Sequence, residues 1–228
     1  MKNIILIAPP AAGKGTQAQL ISEYYNIPHI STGDLLRDEV NSGSVYGKMI
    51  KYNMDNGELI DNNLIINILR NRLNRIDCNN GYILDGFPIN IEQATIYESM
   101  IHDLRKEIGN VVFLEINKEL ALKRSLSRLI CSSCYTSYNT EVPELKPKNP
   151  GFCDKCGHPL RSRGEDNEEA FEKIFENHLN TITPLLDYYN NKGLLKTVKI
   201  EENDNVDTIF SKIKNIIDEA EENNKWKI

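Results

Sequence analysis

Two parts of this chain carry residues whose types and spacing could do chemistry. The first is a set of four thiols, Cys131-Ser-Ser-Cys134 and Cys153-Asp-Lys-Cys156, two C-x2-C pairs with eighteen residues between them. Thiolates at this spacing can close a tetrahedron around zinc. With sulfur at every corner such a site is structural, because a catalytic zinc keeps a position for water. Gly157, directly after the second pair, suits the tight turn of a knuckle. Four free thiols or a redox dithiol are the competing possibilities, but a redox pair has no need of a twin. The expectation is one structural Zn2+ held by Cys131, Cys134, Cys153 and Cys156. Cys78 stands alone and is expected to be a small buried hydrophobe.

The second part is the stretch IAPPAAGKGT, residues 7–16. It meets the phosphate-loop pattern G-x-x-x-x-G-K-[ST] in part: Ala8 stands at the first glycine, Gly13 and Lys14 are in place, and Gly15-Thr16 follows. Ala11 also stands where a glycine is expected, and alanine there is costly if the backbone needs φ > 0. A small-residue loop in an α/β protein need not bind anything, and Lys14 could be a solvated charge. The flanks favour phosphate. Asn3 to Ile7 is a nearly continuous apolar run that suits a strand buried on both faces. After Thr16, Ala18, Leu20, Ile21, Tyr24 and Tyr25 recur at helical spacing. A small-residue loop between a buried strand and a helix N-terminus offers backbone N–H groups to phosphate.

The elements that must position these groups alternate along the chain. Strands are predicted at Tyr82 to Leu84, Val111 to Ile116 and Leu194 to Ile200, besides the first. Helices are predicted at about 62–75, 91–107, 119–129, 168–190 and 206–222. This order argues for a parallel sheet covered on both faces, in an α/β fold. Two segments interrupt it. Ser31 to Ile60 is polar and helical, punctuated by Gly33, Gly43, Gly47 and Gly57. Ile130 to Arg163 holds the cysteines with Pro143, Pro147, Pro150 and Pro159, and is expected to be a compact, loop-like insert. At the end, EAEENNKWKI reads as a helix end and frayed residues, with Trp226 packing locally at most.

Composition narrows the classes. The chain has 228 residues, enough for one sizeable domain with inserts. Its formal net charge of −6 argues against a partner recruited by bulk positive charge, so no nucleic acid is expected. No apolar run is long enough for a bilayer and the start lacks the pattern of a signal peptide, so a soluble, cytoplasmic protein is expected.

Five stretches fall in one order and spacing: GKGTQA (13–18), ISTGDLLR (30–37), NGELI (56–60), GYILDGFP (81–88), and CSSC…CDKC followed by RSRGEDNEE. Over nearly its whole length the chain thereby resembles the adenylate kinases of the bacterial type with a long zinc-bearing lid. The resemblance implies a P-loop parallel sheet flanked by helices, with core segments at 1–30, 61–126 and 165–228. It implies a helical insert for the nucleoside monophosphate at 31–60 and a zinc-bearing lid at 127–164. It further implies a monomer acting on ATP and AMP with Mg2+. Gly13, Lys14, Gly15 and Thr16 would hold the donor phosphates. Thr32 and Arg37 would hold the monophosphate, Gln93 would read its adenine, and Leu59 and Ile60 would line the base pocket. Asp85 would place magnesium through water, Arg124 would stack on the donor adenine, and Arg128 and Arg163 would clamp phosphates. Lys14, Asp85, Arg128 and Arg163 form the implied catalytic set. Each also has an ordinary reading, with Arg37 and Arg128 as solvated helix charges and Asp85 as a turn cap.

The chain departs from the pattern at two arginines. The family motif D-G-[FY]-P-R ends here as Asp85-Gly86-Phe87-Pro88-Ile89, and Ile174 stands at a second arginine position, with Lys173 beside it. Glu165-Asp166 keeps the family's acidic pair. An arginine that stabilises a transferring phosphoryl group can be worth roughly 10³- to 10⁵-fold in rate, and neither Lys173 nor Arg161 reproduces a bidentate clamp. Three possibilities result. One is a nucleoside-monophosphate kinase, slowed or with a shifted acceptor. The second is an adenine-nucleotide-binding pseudo-kinase with little turnover, and the third a zinc-stabilised interaction module with a vestigial site.

Overall fold

A computed structural model describes residues 2–56, 60–162 and 167–225. Its centre is a five-stranded parallel sheet of β1 (Lys2–Ile7), β2 (His29–Ser31), β3 (Gly81–Asp85), β4 (Asn110–Ile116) and, last in the chain, β8 (Leu195–Ile200). The spatial order is β2-β3-β1-β4-β8. The chain leaves β1 towards one edge and later crosses to β4 on the other side. A crevice therefore opens beyond the carboxyl ends of β1 and β3, where doubly wound sheets bind ligands.

Alternation along β1 divides the core in two. Ile5 and Ile7 join a cluster with Leu69, Leu84, Tyr97 and Leu185 on one face, while Ile4 and Leu6 join Ile21, Leu114, Phe175 and Ile213 on the other. Both faces being covered explains the unbroken apolar run of β1. Helix α7 (Glu168–Asn191) serves both clusters, with Phe171 and Phe175 in one and Ile182 and Tyr189 in the other. Cys78 is fully buried in the first cluster, as its isolation in sequence suggests, and burial pushes its thiol pKa up. The sheet is flanked by α1 (Lys14–Tyr25), α4 (Asn62–Leu73), α5 (Ile91–Asp103), α6 (Lys118–Leu126) and α8 (Val206–Lys225). No helix among the described residues is long and apolar enough to cross a membrane.

The polar segment after β2 folds into α2 (Thr32–Asn41) and α3 (Val45–Asn56). They pack so closely that a Cβ on Gly47 would lie 2.1 Å from the Glu39 carbonyl oxygen, so only glycine fits. The cysteine-bearing insert corrects the expectation of a loop-like segment. It contains an antiparallel sheet of β5 (Arg128–Cys131), β6 (Ser137–Asn139) and β7 (Leu160–Arg161), in the order β6-β5-β7. Strands of two to four residues broken by prolines carry no readable alternation. The three-residue β2 escapes notice for the same reason. Helix α6 also stops earlier than its pattern suggests, so Arg128 opens strand β5 and is not a helix charge. Trp226 lies outside the described residues.

Candidate active site

The small-residue loop runs from β1 to α1 across the open crevice. The Ala12 N–H donates to the Pro9 carbonyl at 3.3 Å, and Gly13 turns into the helix at φ 85°, a conformation that glycine adopts freely. No side chain caps the N-terminus of α1. Its first N–H groups and the positive end of its dipole are thus presented to an anion. Ala11 sits at φ 63°, so the feared strain at this position is present. Ala8 is buried, and burial lowers the pKa of His178 on α7.

Parallel register brings β2 and β3 to the same edge. Asp85 lies opposite Leu6 of β1 and Ser31 of β2, while His29 pairs with Ile83 and shares the face of Asp85. The Asp85 carboxylate is bound on one oxygen by Lys14 Nζ, and its other oxygen lies 3.1 Å from His29 Nε2. Burial of Asp85 would raise its pKa, but the His29 hydrogen bond and the Lys14 charge outweigh it and hold the carboxyl below its ordinary value. Gly15 faces the same carboxylate: a Cβ there would stand 3.9 Å from Asp85 Oδ2. Thr16 is half-buried in the first turn of α1. Lys14, Gly15 and Asp85 thus meet, although 71 residues separate lysine from aspartate.

Thr32 begins α2 with Ser31 as its N-cap. Its hydroxyl is buried with no hydrogen-bond partner. One turn on, Arg37 bends back to pair with Asp34. Arg37, Asp85 and Gly15 line one side of a cleft of about 730 Å3, and Tyr135, Thr136 and Arg161 of the cysteine-bearing insert line the other. A second cavity of about 240 Å3 lies between Arg124 of α6, Val142 of the insert and the loop at Asp204. Arg124 donates to the Asp204 carbonyl at 3.4 Å, and burial lowers its pKa. Asn139 ties the insert to this helix by donating to the Arg124 carbonyl at 2.9 Å.

The remaining expected residues are spread more widely. Gln93 is buried in α5, donating to Asn62 Oδ1 at 2.9 Å and accepting from the Ile89 N–H at 3.0 Å. Ile60 packs against the first core cluster. Leu59 and Arg163 lie outside the described residues, as do Glu165 and Asp166. Ile89 and Ile174, at the two arginine positions, are 44% and 41% exposed.

The four cysteines converge. Their sulfurs all lie within 4.8 Å of one another, with Cys131–Cys156 at 3.4 Å, Cys134–Cys153 at 3.5 Å and Cys134–Cys156 at 3.3 Å. Tetrahedral Zn–S bonds of ~2.3 Å put sulfurs roughly 3.8 Å apart, whereas a disulfide needs ~2.05 Å, so the cluster fits an ion and no disulfide. Burial disfavours the Cys153 thiolate, but the Tyr138 hydroxyl and the N–H groups of Cys156 and Lys155 prevail, bringing its pKa down to about 6. The site suits a structural metal.

Sequence reasoning passed over His29, Asn139, Tyr135 and His178. His29 directly precedes ISTGDLLR, but nothing in its spacing points to Asp85.

The family model for adenylate kinase matches residues 6–194. The chain belongs to the adenylate kinase family. Among curated members of this family of phosphotransferases, the adenylate kinase of Caldicellulosiruptor saccharolyticus is 43% identical, over 87% of this chain and 92% of its own. That of Methanosarcina mazei is 40% identical over 94% and 98%, and that of a Geobacillus strain 36% identical over 94% and 98%. The matched adenylate kinase region takes in the phosphate loop, both sides of the 730 Å3 cleft and the cysteine cluster. It ends before the loop at Asp204 that completes the smaller cavity.

Proposed function

We propose that this chain catalyses the reversible transfer of the terminal phosphoryl group of ATP to AMP. The observation that carries the proposal is the meeting of Lys14, Gly15 and Asp85 at the uncapped N-terminus of α1. Catalysis of this reaction is mostly positioning and charge compensation, and the crevice supplies both. The N–H groups from Gly13 to Thr16 and the Lys14 ammonium bind the donor phosphates. Arg124 lines the cavity for the donor base. The buried, unpartnered Thr32 hydroxyl and Arg37 receive the acceptor phosphate. Gln93 reads the acceptor adenine by exchanging its bond to Asn62, and Ile60 and Leu59 flank the base. Arg128 and Arg163 close on the phosphates with the lid, residues 127–164.

A carboxylate beside a phosphate site fits a hydrated Mg2+, and Asp85 would hold the ion through water. Magnesium supplies charge neutralisation at the β- and γ-phosphates. Lys14, freed from Asp85 as the donor arrives, follows the phosphate charge. The lid excludes water, which would otherwise accept the phosphoryl group. One structural Zn2+ in the cysteine cluster staples a lid whose own core is small, built on Cys131, Tyr138 and Cys153. The chain works as a monomer.

Ile89 and Ile174 favour a second reading, a nucleotide-binding protein with little turnover. Their exposed apolar side chains stand where the family motif has positive charge. Coupled turnover of ATP and AMP, compared with I89R/I174R, separates the two. We expect measurable turnover in the parent and a rise of tenfold to roughly 10³-fold on restoring both arginines. No turnover in either protein would reject the kinase assignment.

A further inference from the structure

The two cysteine knuckles close with an equivalent backbone hydrogen bond but carry different residues after the second cysteine. In the first, the Cys131 N–H donates to the Thr136 carbonyl at 2.9 Å; in the second, the Cys153 N–H donates to the His158 carbonyl at 2.8 Å. Both turns pass through a left-handed residue directly after the second cysteine. In the second knuckle this is Gly157 at φ 74°, and in the first it is Tyr135 at φ 57°. Left-handed backbone is unfavourable for a residue with a Cβ, and such strain survives where something else requires the side chain. A Cβ on Gly157 would meet nothing within 4 Å, so the turn demands glycine for its φ and not for space. Tyr135 therefore keeps a strained backbone that glycine would relieve without a steric penalty.

Its ring explains why. Tyr135 is 56% exposed and lines the cleft between the lid and the insert of α2 and α3. Across that cleft its ring centroid lies 6.0 Å from the guanidinium carbon of Arg37. Arg37 is otherwise held by Asp34 and lies over Gly33, where a Cβ would stand 3.3 Å from Nη1. The lid thus reaches the acceptor insert through an aromatic face on a cation.

We propose that Tyr135 is a positioning residue that holds Arg37 for the acceptor phosphate and couples lid closure to acceptor binding. This rests on the assignment of Arg37 to that phosphate. The metal cluster fixes the turn, the turn aims the ring, and the ring orders a long side chain that would otherwise lose rotamer freedom on binding. Loss of the ring weakens the acceptor and spares the donor, whose loop lies on α1.

The test compares the zinc-loaded full chain with Y135F, Y135G and Y135N, since glycine and asparagine both accept the left-handed turn. AMP affinity is titrated calorimetrically with a saturating non-hydrolysable ATP analogue, beside the KM values for both substrates. Y135F is expected to stay within about twofold of the parent, and Y135G and Y135N to lose roughly three- to tenfold in AMP affinity. All three should hold one zinc, keep their ATP affinity and melt no lower than the parent. AMP affinity unchanged in both Y135G and Y135N overturns the proposal. So does an equal loss for ATP, or loss of zinc in both variants, either of which marks a merely structural role. A parent that binds AMP without turnover counts against the kinase assignment alone, because the affinity ratios still decide the part played by Tyr135.

Discussion

Lys14 Nζ is bound to Oδ1 of Asp85, joining the first turn of α1 to the carboxyl end of β3. Both groups are mostly shielded from water, with side-chain exposures of 26% and 13%. The pair holds the Lys14 ammonium at the helix N-terminus. Lys14→Ala should weaken ATP binding by on the order of ten- to a hundredfold, the usual worth of a charge-assisted hydrogen bond. Titration calorimetry checks this, and unchanged affinity would place Lys14 away from the phosphates.

Acid should destabilise the fold through Asp85. Its folded pKa is lowered by His29 and Lys14 against the opposing effect of burial. A depressed carboxylate stabilises the native state above its unfolded pKa of about 3.9, and that contribution disappears as pH falls through the folded value. Asp204 and Asp218 shift in the same direction. Chemical denaturation midpoints should therefore begin to fall below about pH 6.5, where His178, whose pKa burial lowers, is protonated first in the unfolded chain, and fall further below about pH 4 as the carboxylates are protonated. Asp85→Asn should shallow that decline, and an identical slope would remove Asp85 from the linkage.

Zinc should be countable and costly to remove. Elemental analysis is expected to find about one zinc per chain. An ion bound a hundredfold or more above its dissociation constant stabilises by ~3 kcal/mol, so a strong chelator should lower the melting temperature by roughly 6–12 °C. Cys153→Ser should do the same without chelator. Metal-free protein with an unchanged melting temperature would contradict the site.

Ala11→Gly should stabilise. At φ 63° alanine incurs the left-handed penalty of about 1–2 kcal/mol, partly offset by the extra freedom of glycine in the unfolded chain. A net gain of ~0.5–1 kcal/mol corresponds to roughly 1–4 °C in a thermal melt. A lower melting temperature would mean that the loop tolerates Ala11 for a reason beyond its backbone.

Ile89→Arg and Ile174→Arg should leave stability within about 0.5 kcal/mol, because both side chains are largely exposed and neither fills the core. Changes in turnover can then be read as chemistry. A large loss of stability in either variant would show that these isoleucines have a packing role.

Much of this molecule was legible because it depends on local pattern. The apolar run of β1, the small loop after it and the helical spacing beyond Thr16 define a strand, turn and helix N-terminus from adjacent residues alone. The cysteine spacing likewise picked out four thiols whose sulfurs converge in the fold. Short strands such as β2 and β5 to β7 were not legible, because two to four residues hold too little alternation to be told from loop. Long-range pairing decided the rest. His29 reaches Asp85 only because β2 and β3 lie in parallel register, and Tyr135 meets Arg37 only because the cysteine-bearing insert reaches across the cleft. No periodicity in a chain encodes such contacts; they exist once the sheet order and the packing of the inserts bring distant segments together.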